Sequence, residues 1–259
     1  MKDAIWAYWY APGCNFGDWL TPYLIKKISG HDANFALLVP DGQYIHFCVG
    51  SILSKVTNQS IVWGSGLMFD IIPEIKPHKV LAVRGPLTRK LLLSSGIECP
   101  EIYGDPCLLL PRFYKPQIKK KYKFGVIPHF IDNKNFWLEK IKDRDDTIVI
   151  DICGKIEDVI DEICSCKAIA SSALHGLITA DAYGIPSVWI KFSNKVLGSG
   201  FKFRDYYASI HEECNTVTEM NGDIDVDALC STASKKTPDI DLGGLLKACP
   251  FKPKTGDDN

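Results

Sequence analysis

One pattern constrains this chain more than any other: short apolar strands alternate with helices, and the alternation runs twice. The second run starts after a basic, proline-bearing segment, "KPQIKKKYK" at residues 115–123. In the first run, "AIWAYWYAP" alternates like a strand and breaks at Pro12-Gly13. "NFGDWLTPYLIKKISG" follows, with Leu20, Leu24, Ile25 and Ile28 at helical spacing until Gly30 closes the helix. "YIHFCVGSIL" and "SIVWGSGLMF" read as strands ending in glycine-bearing loops. "KVLAVRGPLTRKLLLSSG" reads as strand, turn and helix, and "IYGDPCLLLP" as one more short strand or loop. The second run repeats the scheme through "KFGVIPHF", "NFWLEKIK", "TIVIDI", "KIEDVIDEICSC", "KAIASS", "LHGLITADAYG" and "PSVWIKF". Such alternation predicts parallel sheets built from βα units. The expected fold is α/β, with two Rossmann-like domains at 1–115 and 124–230 and a cleft between them. Residues 231–259 are expected to hold a short helix at "DLGGLLKAC" and a mobile end of about eight residues.

The composition excludes several classes of function. Over 259 residues, 46% are hydrophobic and 24% charged, which suits a globular chain with a large core. A net charge of −1 gives no footprint for nucleic acid. No run of about 18 apolar residues occurs, so no transmembrane helix is expected. The ten cysteines are scattered, and the opening residues do not read as a signal peptide. Reduced thiols in a cytoplasmic protein are therefore expected. The closest approach to a metal motif, Cys164 and Cys166 in "CSC", lacks a second pair, so no metal is expected. The basic segment reads as a solvated linker, with peripheral contact at an anionic membrane face as the lesser alternative.

In open α/β sheets, ligands bind outside the carboxyl ends of the strands, and every loop with chemical potential here sits at such an end. In "SSALHG", Ser171 and Ser172 end a strand and a helix opens near Leu174, leaving N–H groups that attract anions. Gly176 is expected to admit a ligand to the first turn. His175, beside a bound anion, would bind it or act as a general acid; the competing reading is a histidine held by a backbone carbonyl. Arg84 in "VRGP" suits carboxylate or phosphate, unless it is spent on a nearby acid such as Asp105. Asn15 and Asp18 either cap their helix or reach sugar hydroxyls. Gly64, Ser65 and Gly66 form a strand-end loop where a ligand can approach. His129 follows the first strand of the second half. Lys202, Arg204 and Asp205, after "GSG", place a cation and a carboxylate near a cleft edge, where they either close over substrate or form an ion pair at a helix start.

The order and spacing of "NFGDWLTPYLI", "VWGSGLMF", "LAVRGPLTRKLL", "YGDPCLLLP", "VIPHF" and "ASSALHGLITADAYGIPSVWI" together resemble the polysaccharide pyruvyl transferase family, of the compact exopolysaccharide ketal-pyruvyltransferase type. The resemblance covers roughly residues 10 to 210. It implies a glycosyltransferase-B-like pair of Rossmann domains and no metal or organic cofactor. It implies transfer of pyruvate from phosphoenolpyruvate to two hydroxyls of a sugar, free or lipid-linked, as a cyclic ketal. His175 matches the histidine of the Leu-His-Gly motif and Arg84 the arginine of Arg-Gly-Pro. Many relatives carry arginine before Leu-His where this chain has Ala173, so Arg84 or Lys202 must supply that charge. Asp18, Asp105 and His129 remain alternatives for the base. Two other readings stand beside this one: a glycosyltransferase using a nucleotide-sugar, and a catalytically silent sugar-binding protein. The oligomeric state is left open.

Overall fold

The computed structural model describes residues 4–11, 15–213, 217–220 and 225–251, and its two runs of sequence pattern form two separate five-stranded parallel sheets. The first holds β1 (Ile5–Tyr8), β2 (Ala33–Phe35), β3 (Ile45–Phe47), β4 (Ser60–Trp63) and β5 (Lys79–Ala82) in the order β2-β1-β3-β4-β5. Between β1 and β2 runs α1 (Phe16–Ser29), which buries Leu20, Leu24, Ile25 and Ile28. It ends at Gly30, whose φ of 77° lets its N–H return to the Lys26 carbonyl. After β5 comes α2 (Pro86–Ser94), started by a proline whose missing N–H costs nothing there. A 3₁₀ turn at Pro106–Leu109 and the single turn α3 (Leu110–Phe113) finish this half.

The second sheet comprises β6 (Tyr122–Ile127), β7 (Thr147–Val149), β8 (Cys166–Ser171), β9 (Ser187–Lys191) and β10 (Thr218–Glu219), ordered β10-β9-β8-β6-β7. Its connections carry α4 (Trp137–Lys142), α5 (Ile156–Ser165), α6 (Leu174–Ala182) and α7 (Phe201–Ser209), and α8 (Val226–Thr232) and α9 (Leu242–Lys247) follow. Counted along the chain, both sheets have the strand order 2-1-3-4-5. Each therefore has one place, between its first and third strands, where successive connections leave in opposite directions and open a crevice. In the first sheet that place lies between β1 and β3, and in the second between β6 and β8.

The halves share a core. One apolar cluster runs from α1 and Leu108–Leu110 into α5 and α6, and the Phe16 N–H donates to the Ile152 carbonyl at 2.9 Å. Packing also departs from a simple division at 115/124. α7 crosses back to lie on α2, with Phe201 buried among Phe47, Leu53 and Val83. The segment after α8 returns as well: Trp63 Nε1 donates to the Leu245 carbonyl at 2.8 Å, and Phe251 packs edge-on against Trp63. The final eight residues and the Pro12-Gly13 break lie outside the described residues. The basic segment is a solvated connection that ends in β6, where Lys123 pairs with Asp227 at 2.6 Å. Among the described residues no helix is long and apolar enough to cross a membrane.

Candidate active site

A cavity of about 480 Å³ opens between the halves, and its walls come from strand-end loops of both sheets. Tyr8 ends β1 and Tyr10, Asn15 and Asp18 follow it, Gly50 to Ile52 follow β3, and Met68 and Phe69 follow β4. Opposite them stand His129 to Ile131 after β6, Ala173 to His175 after β8, and Leu197 and Lys202 after β9. The crevices at both strand-order reversals thus face one space, and its size suits a small ligand.

Five of the expected site residues meet there: Asn15, Asp18, His129, His175 and Lys202. His175, 8% exposed, occupies the first turn of α6. Its Nε2 lies 3.3 Å from Asp105 Oδ2, and neither atom has a hydrogen-bond partner among the described residues. Asp105 is itself fixed, because its Oδ1 accepts from the Cys107 N–H at 3.0 Å and caps the 3₁₀ turn. The carboxylate thus stands behind one ring nitrogen, the arrangement by which an acid can orient an imidazole. The ring packs on Gly17 so closely that a Cβ there would stand 1.9 Å from Nδ1. Gly17 is therefore the residue that lets α1 and His175 meet.

Asp18 accepts from Asn15 Nδ2 at 2.7 Å. Burial raises its pKa, and His175, Asn15 and Lys202 pull it back. Burial lowers the Lys202 ammonium to about 8, helped by the Arg84 charge and opposed by Asp18. Its Nζ makes no hydrogen bond or ion pair among the described residues, and it lies over the Phe203 ring, 5.5 Å from the centroid. A buried ammonium without an acceptor is suited to an anion. His129 is lowered to about 4 by burial and by repulsion from Lys202 and His175, so it is neutral at neutral pH. Its backbone N–H donates to Ser172 Oγ at 2.8 Å. Among the described residues, no group of three or more acidic, histidine or cysteine side chains is arranged to hold a metal.

The other candidates stand behind this surface, and the physical reasons are specific. Arg84 is 0% exposed. Its Nε donates to Asp205 Oδ2 at 3.0 Å, Nη1 to Ser51 Oγ at 2.7 Å and Nη2 to the Leu67 carbonyl at 2.7 Å. Its acid is thus Asp205 on α7, not Asp105, and no fork is left to meet a ligand. Gly66 is needed because a Cβ would stand 2.4 Å from the Arg84 guanidinium carbon, and Gly64 because one would meet Pro106 at 2.3 Å. Ser65 Oγ donates to the Gly50 carbonyl at 2.8 Å. That loop supports the Gly50-Ser51 wall instead of forming a wall itself. Gly176 faces inward, where a Cβ would stand 2.5 Å from Ser171 Oγ; it permits helix-on-strand packing, not ligand approach. Ser171 bridges the Ile127 and Ala173 carbonyls. Ser172 lines a neighbouring cavity.

Sequence reasoning missed Tyr8, Tyr10, Ser51, Lys55 and Gly17. The signal for Ser51 was available, since "CVGS" ends a strand on the cleft side. That for Gly17 was not, because its role is set by a ring more than 150 residues away.

The sequence profile described as polysaccharide pyruvyl transferase matches residues 3–194. An uncharacterised protein of Acanthamoeba polyphaga mimivirus, L143, is 29% identical over 216 residues, which cover 79% of this chain and 74% of that one. The succinoglycan biosynthesis protein ExoV of Rhizobium meliloti (strain 1021) is 29% identical over 210 residues, covering 77% of this chain and 62% of its own length. No solved structure matches at a comparable level. With the family profile spanning most of a chain whose two sheets face one cleft, the protein belongs to the polysaccharide pyruvyl transferase family.

Proposed function

We propose that this protein transfers pyruvate from phosphoenolpyruvate to two hydroxyls of a sugar in a polysaccharide or its precursor, forming a cyclic ketal. The observation that carries this reading is the pairing, in one cleft, of Lys202, without an acceptor among the described residues, and His175 backed by Asp105. Phosphoenolpyruvate brings a carboxylate and a phosphate to that space. Lys202 and the amino end of α6 are complementary to these anions. His175, in its protonated form, gives a proton from Nδ1 to the methylene carbon, leaving an oxocarbenium-like centre at the adjacent carbon. A sugar hydroxyl attacks that centre and its proton passes to Asp18, the carboxylate that shares the cavity. The second hydroxyl then replaces phosphate. The proton held by Asp18 then returns to His175, and the proton of the second hydroxyl leaves with the phosphate, so both side chains are restored. The name of the Rhizobium relative, a protein of polysaccharide synthesis, supports a saccharide acceptor. The test is phosphate release from phosphoenolpyruvate across a panel of oligosaccharides, with mass spectrometry of the sugar product. Gain of pyruvate less one water by the sugar, with one phosphate per ketal, is expected. Consumption of a nucleotide-sugar instead, with phosphoenolpyruvate untouched, would refute the reading.

A further inference from the structure

Beside the candidate active site lies a second cavity of about 720 Å³. It shares Phe69 and Leu197 with the first, and the same two helix starts line both. Ser172 faces the second cavity, while Ala173 to His175 face the first; Gly200, Phe203 and Arg204 face the second, while Lys202 faces the first. The chemistry of its lining is different. Trp189 lines it, with its indole stacked on Phe203 at 4.3 Å between centroids and 14° between planes. Gly200 abuts the indole so closely that a Cβ would stand 2.8 Å from it. Phe203 thus covers one face of the indole and Gly200 bounds its six-membered ring, while Trp189 as a whole stays half-buried. Around it stand Ser193, Asn194, Ser199 and the Arg204 guanidinium, whose Nη1 is turned to the Ser199 carbonyl at 2.9 Å.

We infer that this second cavity is a saccharide subsite, which holds a sugar unit of the acceptor next to the one being modified. A pyranose offers a face of C–H bonds, polarised positive by the ring oxygens, and a rim of hydroxyls. The first matches the negative face of an indole, and the second matches amide, hydroxyl and guanidinium groups. Two cations reach its lining, Arg204 turned to the Ser199 carbonyl and Lys191 paired with Glu219 at 3.2 Å, so the cavity suits a sugar whose hydroxyls or acidic substituents accept from them. A chain crossing the ridge of Phe69 and Leu197 would put one unit on Trp189 and its neighbour beside His175. This inference rests on the pyruvyl-transfer reading for its choice of acceptor but not for its choice of ligand class.

The test is a glycan array probed with labelled wild-type protein, Trp189→Ala and Trp189→Phe, alongside calorimetric titration of phosphoenolpyruvate into each. Trp189→Phe keeps the stack on Phe203 and shortens the platform; Asn194→Ala serves as a further variant at an exposed position should Trp189→Ala not fold. Glycans retained by the wild type are expected to bind about tenfold or more weakly to Trp189→Ala and to an intermediate degree to Trp189→Phe, with phosphoenolpyruvate affinity unchanged. Equal glycan binding by wild type and folded Trp189 variants would overturn the inference, as would a wild type that retains no glycan. Loss of glycan binding in the variants, in a protein that never binds phosphoenolpyruvate, would uphold the sugar subsite and refute pyruvyl transfer.

Discussion

Lys202 and His175 stand in one cavity with different neighbours, and their substitutions should separate binding from chemistry. Lys202 has no acceptor among the described residues, so Lys202→Met should weaken phosphoenolpyruvate by roughly 10- to 150-fold, the range of a charged contact contributing about 1.5–3 kcal/mol. Calorimetric titration reads this directly. Its pKa, lowered to about 8, adds a pH signature. The cation is present below that value and lost above it, so affinity should fall as pH rises through it, by at most about tenfold per unit. A bound anion moves the midpoint upward, and Lys202→Arg should flatten the profile. His175→Gln keeps the size and hydrogen-bonding capacity of the side chain but removes the proton donor. Turnover at saturating phosphoenolpyruvate should drop about 10²–10⁴-fold with affinity changed less, measured as kcat and KM for phosphate release. Near-native kcat would remove His175 from proton transfer.

At the level of elements, the site depends on how closely two helices meet and on how one is pinned. α1 approaches α6 through Gly17, and Gly17→Ala would force the imidazole away from Asp105. Phosphate release should fall towards the His175→Gln level, while the melting temperature drops by no more than overpacking of about 1–3 kcal/mol requires. α7 is pinned by Asp205, which accepts from Arg84, from the Thr88 N–H at 2.9 Å and from Thr88 Oγ at 2.7 Å. Removing one member of a buried ion pair strands the other, so Arg84→Ala should cost about 3–5 kcal/mol in denaturant unfolding. Unchanged stability would return Arg84 to the list of ligand-binding groups. The helices and most strands were legible in the sequence because their apolar spacing is local. β2, β10, α3 and α8 were not: Ala33–Phe35 and Thr218–Glu219 are edge strands too short for periodicity, "IYGDPCLLLP" reads as strand or loop where the chain makes a 3₁₀ turn running into α3, and α8 is only seven residues long. The glycines of "GSGL" were read as ligand-facing for a related reason. A backbone position that demands glycine looks the same in sequence whether the neighbour is a substrate or the Arg84 guanidinium.

On the scale of the whole molecule, the sequence announced two α/β halves and a cleft, because the strand–helix alternation runs twice and the chemistry-bearing loops follow strands. It could not announce that both sheets have the same strand order, which brings both crevices to a single cavity. Nor could it show that α7 and the segment around Leu245 return to the first half, since nothing in their local pattern names a partner. That return also governs how the protein is made. During synthesis the first sheet leaves the ribosome well before Phe201, Leu245 and Phe251, the residues that complete its packing. Trp63 and the seat of Phe201 must then wait, exposed or transiently covered, until nearly the whole chain has emerged. Long-range closure of this kind slows folding and leaves apolar surface open to aggregation. Nascent chains stalled near residue 190 should therefore be captured by chaperones and cleaved readily by protease, whereas chains released at full length should not. A first half that is already protease-resistant at that stage would show that it closes without the returning helix.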